Sequence, residues 1–152
     1  MSIFNSINTT ASALTAQRLR MDVISSNMAN ADTTRGKLVD GEWQPYTRKQ
    51  VVFQTKDNSS SFASQLSAAQ RNTSSTGNGV KVTQIVEDET PYEMVYDPEN
   101  ADANEDGYVA MPNVDPLREM VDLMSASRSY EANVTVLNAS KSMMMKTLEL
   151  GK

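Results

Sequence analysis

The chain has 152 residues, of which 39% are hydrophobic and 6% aromatic, and carries a formal net charge of −5. It contains no cysteine and no histidine, which excludes a disulfide framework, the usual zinc ligands, and the Ser-His and Cys-His catalytic pairs. The acidic balance argues against nucleic-acid binding, and no apolar run approaches the roughly 18 residues that a membrane-spanning helix needs.

In chain order, the segment from Ser2 to Ala31 predicts a helix about 45 Å long at about 1.5 Å per residue. Ile7, Leu14, Met21 and Met28 repeat at heptad spacing, and Ile3, Ile24 and Ala31 supply the partner position. Its only charges are Arg18, Arg20 and Asp22. A solvated helix displays more charge than this, so contacts on several faces are expected. On periodicity alone, an ordinary amphipathic helix of a helical hairpin fits equally well. Asn5, Ser6, Asn8, Thr9 and Thr10 interrupt the apolar character of the start, so no cleaved secretory signal is expected.

The character changes at Thr33-Thr34-Arg35-Gly36. Tyr46 to Phe53 and Val80 to Val86 read as strands from their β-branched and aromatic content. Between them, Asn58 to Gly79 is dominated by Ser, Thr, Asn, Gln and Ala, and reads as a mobile surface loop. From Glu87 to Asp115 there are ten acidic residues and no basic one. Such a run is a solvated face, or a surface that meets a basic neighbour. Asp102-Ala103-Asn104-Glu105-Asp106-Gly107 reproduces the opening of an EF-hand loop, but the twelfth position is Asn113 rather than a bidentate carboxylate. Pro112 and Pro116 also obstruct the exiting helix. The stretch therefore reads as an acidic turn and no metal or cofactor is expected. Glu87, Asp88, Glu89 and Glu93 could be written as an acid-base set, yet no phosphate loop or nucleophile elbow accompanies them. No enzymatic activity is expected.

The last segment opens with a start signal: Asp115 as N-cap, Pro116 in the first turn, and Glu119 near the positive end of the helix dipole. The helix is expected from Pro116 to Leu150, with Gly151 ending it. Met120, Leu123, Ser127, Tyr130, Val134, Leu137, Met144 and Leu148 form its seam, interrupted by Lys141 at an inward position. Met143, Met144 and Met145 read as adaptable packing residues rather than a ligand box.

These elements predict a mainly α protein with a small β-rich middle. The long terminal helices are expected to pair as an antiparallel coiled coil, with a β-hairpin and loop region between them. The expected organisation is an N-terminal helix and Asn-rich turn over 1–35, a β and loop region over 36–115, and a C-terminal helix over 116–152. The first seam, Ile7, Leu14, Met21, Ile24 and Met28, is expected to pack on Leu123, Tyr130, Val134, Leu137, Met144 and Leu148. Asn27, Asn30 and Thr34 are expected to hold the turn after the first helix through side-chain to backbone hydrogen bonds. On heptads alone, a coiled-coil adaptor forming a discrete soluble oligomer is the alternative to an open assembly.

Ser25-Ser26-Asn27-Met28-Ala29-Asn30-Ala31-Asp32-Thr33-Thr34 resembles the N-terminal signature of bacterial flagellar axial proteins, the rod, hook and hook-associated family. Tyr46-Thr47-Arg48-Lys49-Gln50-Val51-Val52-Phe53, Gly107 to Val114 and Glu119 to Asn133 resemble blocks of its proximal-rod members. The resemblance implies a structural subunit without enzymatic activity, located in the flagellar basal body. It further implies helical assembly with itself and other rod proteins, helices toward the inside with the β-hairpin and loop region facing outward, and passage through the flagellar type III export apparatus without a cleaved signal.

Overall fold

The computed structural model describes residues 3–56, Leu66 and 79–151. Most of the Ser/Thr/Asn-rich segment expected to form a loop lies outside the described residues. Two long helices enclose a middle built of short strands: α1 (Ile3–Ala29), β1 (Lys37–Val39), β2 (Glu42–Gln44), β3 (Lys49–Thr55), β4 (Val80–Glu87), β5 (Glu93–Tyr96), β6 (Tyr108–Met111) and α2 (Pro116–Leu150). The expected mainly α chain with a small β-rich middle is thus present.

α1 has few charges but many hydroxyls, and these fold back onto its own backbone. Thr9, Thr10 and Thr15 donate to the carbonyls four residues earlier, and Ser12 donates to Thr9. The hydroxyls are thereby satisfied without solvent, and Thr10 is buried. The helix ends where Asn30 donates its backbone N–H to Ser26 and Asn27, and its side-chain amide to the Ser26 carbonyl at 2.8 Å. α2 begins as expected: the Asp115 carboxylate accepts from Leu117 N–H at 2.9 Å and more weakly from Arg118 N–H.

The strands form three two-stranded sheets, β1–β2, β3–β4 and β5–β6. β1 and β2 are antiparallel, with Leu38 opposite Trp43. Their two-residue loop places Asp40 at φ 53° and Gly41 at φ 91°, the pair of positive φ angles that a type I′ hairpin requires. β3 starts at Lys49 rather than at Tyr46. The preceding residues follow Pro45 and bond elsewhere: Tyr46 N–H to Thr33 O, and Arg48 N–H to the Asn113 side chain. β5 and β6, inside the segment read as an acidic run, are antiparallel from Glu93↔Met111 to Tyr96↔Tyr108.

The chain divides into two compact units. One contains Met1–Arg18, Val52–Gln84 and Ser127–Lys152. Here Gly79, at φ 100°, lies so close to α1 that a Cβ would collide with the Ser12 hydroxyl, and Val80 N–H donates to that hydroxyl at 3.1 Å. Ala16 and Ser140 are its buried helical positions alongside Thr10. The other unit contains Leu19–Val51 and Ile85–Ala126. Its buried residues mix the apolar Val23, Ile24, Val109 and Ala126 with the polar Asn27, Arg48 and Glu119.

Candidate assembly interface and the polar cluster that supports it

The interior of the second unit is organised around a carboxylate. Glu119 is 0% exposed, an unfavourable place for a charge. Arg48 answers it, donating Nε–H to Glu119 Oε1 at 2.7 Å, while Asn27 donates its amide to Oε2 at 3.1 Å. The Arg48 guanidinium also reaches Asp88 at 3.3 Å and Asp122 at 3.6 Å, and Arg20 donates to Asp122 at 3.0 Å. Burial lowers the tendency of Arg48 to hold its proton, but the bonds and charges of Glu119 and Asp88 outweigh it and raise the pKa.

Asn27 is 1% exposed and uses its whole amide. Its Nδ2 donates to the Lys49 carbonyl at 2.9 Å as well as to Glu119, and its Oδ1 accepts from Lys49 N–H and the Tyr46 hydroxyl, both at 3.0 Å. Asn113 completes the arrangement, accepting from Arg48 N–H at 2.8 Å and donating to the Asp88 and Thr90 carbonyls. Five separated stretches of sequence, represented by Asn27, Tyr46 to Lys49, Asp88 to Thr90, Asn113 and Glu119 to Asp122, therefore meet in one satisfied network. Such a network ties the end of α1 and the start of α2 to the first residues of β3.

Asp88 sits at its rim. The Thr90 hydroxyl and backbone N–H hold its carboxyl down at a pKa of about 2, helped by Arg48 and Gln50 and opposed by burial. Asp102, the first residue of the calcium-like turn, accepts from Arg35 Nε–H at 2.7 Å and from the Thr34 hydroxyl at 2.7 Å. Those bonds and the Arg35 charge lower its pKa. Its oxygens are thus committed to a cation from the chain itself. Among the described residues no group of three acidic side chains is gathered as a metal site.

The three turn residues have different partners. Asn30 bonds the helix-end backbone, Thr34 bonds the Asp102 side chain, and Asn27 bonds β3 and Glu119 rather than its own turn. Of the seam residues, Ile24 is buried, while Ile7, Leu14, Met21, Met28, Leu123, Tyr130, Val134, Leu137 and Met144 are half-buried. Leu148 is 74% exposed. Lys141, expected inward, is exposed, and Ser140 occupies the buried position instead. Met120 is likewise exposed, with Glu119 beside it turned inward. The physical reason is common to both: the buried side runs through Glu119, Ala126 and Ser140, where charge can be paired or the side chain is small.

The outer side of α2 leaves apolar residues uncovered. Leu117, Met120, Val121 and Met124 fall at helical spacing near its start, and Met143, Met145 and Leu148 are exposed near its end. On β1–β2, the cross-strand pair Leu38 and Trp43 is exposed as well. Among the described residues no helix is long and apolar enough to cross a membrane.

Residues 7–36 match the family model described as flagella basal body rod protein, and residues 105–150 match that of the flagellar basal body rod FlgEFG protein C-terminal region. The chain is 59% identical to the flagellar basal-body rod protein FlgC of Bacillus subtilis (strain 168), over 100% of both chains. It is 50% identical to FlgC of Escherichia coli O6:H1 and 49% identical to FlgC of Salmonella typhimurium (strain LT2), again over 100% of both chains. The Asn27 turn and the start of α2, which share the buried network, fall within the two matched regions, and the chain belongs to the FlgC family of flagellar basal-body rod proteins.

Proposed function

We propose that this chain is a structural subunit of the bacterial flagellar rod, assembling with itself and other rod proteins into the tube that transmits torque and lines the export channel. The observation that carries the reading is full-length similarity to basal-body rod proteins in a chain whose α2 exposes apolar residues along its outer side. It acts by geometry and performs no chemical step. The discrete-oligomer adaptor is not favoured by that similarity. Passage through the flagellar type III export apparatus, without a cleaved signal, belongs to the same reading.

Within the subunit, α1 and α2 pair as an antiparallel coiled coil with the β-rich portion outward. Two contacts support the pairing: Arg20 meets Asp122 and Asn27 meets Glu119, so moving forward along α1 moves backward along α2. The seam from Ile7 to Met28 then faces the seam from Leu123 to Met144.

The test uses α1 itself. Ala13 is half-buried, whereas Ala16 is 4% exposed, so only Ala13 separates assembly from folding. A strain lacking the wild-type gene should swim when given the wild-type chain. With Ala13→Glu it should fail to build rods, while the purified variant keeps a denaturation midpoint near that of the wild type. Swimming by the strain that lacks the chain altogether would refute the rod reading.

A further inference from the structure

We propose that the outward face of β5–β6 docks on the exposed first turns of α2 in a second copy of this chain. The proposal rests on the rod-subunit reading and names which surfaces meet. Residues opposite one another in an antiparallel pair share a face. Val95 and Val109 are one such pair, 41% and 2% exposed, so theirs is the more covered of the two faces. Met94 opposite Ala110, and Tyr96 opposite Tyr108, therefore make the outer face. Met94 is 56% exposed and Tyr96 65%, and the two tyrosine rings meet edge to face at 5.3 Å. Methionine and tyrosine are the residue types that fill the centres of protein interfaces. Around them the rim is acidic: Asp97, Glu99, Glu105 and Asp106 are exposed, with no basic residue between Glu87 and Asp115.

The complement lies on α2. Leu117 is 75% exposed, and Met120, Val121 and Met124 continue the same apolar surface at helical spacing. Arg118 and Arg128 are exposed beside it. Of the nearby acids, Glu119 is paired with Arg48 and Asp122 with Arg20 and Arg48, while Asp115 caps the helix and Glu131 is exposed beyond Arg128. One surface is thus apolar with an acidic rim, and the other apolar with Arg118 and Arg128 exposed at its edge to meet that rim. Face-to-face docking of two β5–β6 ribbons would bring like charges together, so the helix is the better occupant. The contact is heterologous: each copy that lends its ribbon keeps a free helix face, and further copies can add.

The absence of cysteine makes a clean test possible. Basal bodies would be purified from cells carrying two single-cysteine versions, Met94→Cys and Met124→Cys, and oxidised. A mixed disulfide dimer is expected, several-fold above that given by Met94→Cys with Thr135→Cys, and reduced when Arg118→Glu is added to the Met124→Cys copy. Rods that contain both versions without the mixed disulfide would overturn the docking, and a disulfide to a different protein would overturn the second-copy assignment. Restored swimming reports separately on the rod reading. If the chain is missing from basal bodies, that reading falls, and the same oxidation on the concentrated purified pair decides the docking.

Discussion

Glu119 sits wholly inside the protein, and its charge is tolerable only because Arg48 and Asn27 occupy both carboxylate oxygens. Removing the acid alone should leave a 9% exposed guanidinium short of its principal partner, a loss of about 3–5 kcal/mol. Replacing both, as Arg48→Met with Glu119→Leu, should cost less than Glu119→Ala alone, because no buried charge is then stranded on either side. Denaturant melts of the three variants measure the difference; an equal or larger loss in the double variant would show that the pair adds more than it costs. Asp88 makes the rim sensitive to acid. Its carboxyl titrates at about 2 in the folded chain, below its ordinary value of 3.8, so its stabilising contribution is present above about pH 4 and is lost as the pH falls through about 2. The denaturation midpoint should drop over that window, and less steeply in Asp88→Asn. None of this cluster is legible from spacing, since Asn27 and Arg48 stand 92 and 71 residues from Glu119. Glu119 looks like a dipole charge at a helix start, and only the fold reveals its partners.

At the scale of the element, the two helices were readable because long periodic segments carry their own signals, including the Asp115-Pro116 start. The phase of the α2 seam was less so. Reading the most apolar residues as inward puts Lys141 and Met120 inside, whereas the chain buries Ser140 and Glu119. A small side chain at a close approach and a paired charge are both invisible to an apolar count. Ser140→Lys should therefore destabilise by about 1–3 kcal/mol through overpacking and burial of charge, while Lys141→Ala should stay within about 0.5 kcal/mol. Thermal or denaturant melts of the pair decide the register; equal effects would return Lys141 to the seam. The strands show the opposite difficulty. β1 and β2 have three residues each, too short for alternation to register, although Asp40-Gly41 carries the hairpin signal between them. In β5 the alternation of Met94 and Tyr96 is masked by the acidic residues that surround it in sequence.

At the scale of the molecule, the described residues bury few apolar side chains, and α2 leaves apolar residues uncovered along its outer side. α1 and α2 would extend about 40 Å and about 52 Å from their 27 and 35 residues. Helices of that length draw their stability from packing of their faces rather than from intrinsic propensity. Cover is unequally distributed along them. The end of α1 and the start of α2 are held by the Arg48 and Asn27 network, whereas Phe4 is 70% exposed and Leu150 88%. Local opening should follow that gradient. Hydrogen exchange on the purified chain should show amides of 20–29 and 119–126 among the slowest, and those of 3–10 and 143–150 exchanging orders of magnitude faster. In isolated rods the fast regions should become protected, because assembly supplies the missing partners. Uniform protection along both helices in the free chain would mean that the helix pair is self-sufficient, and that assembly adds contacts without completing the fold.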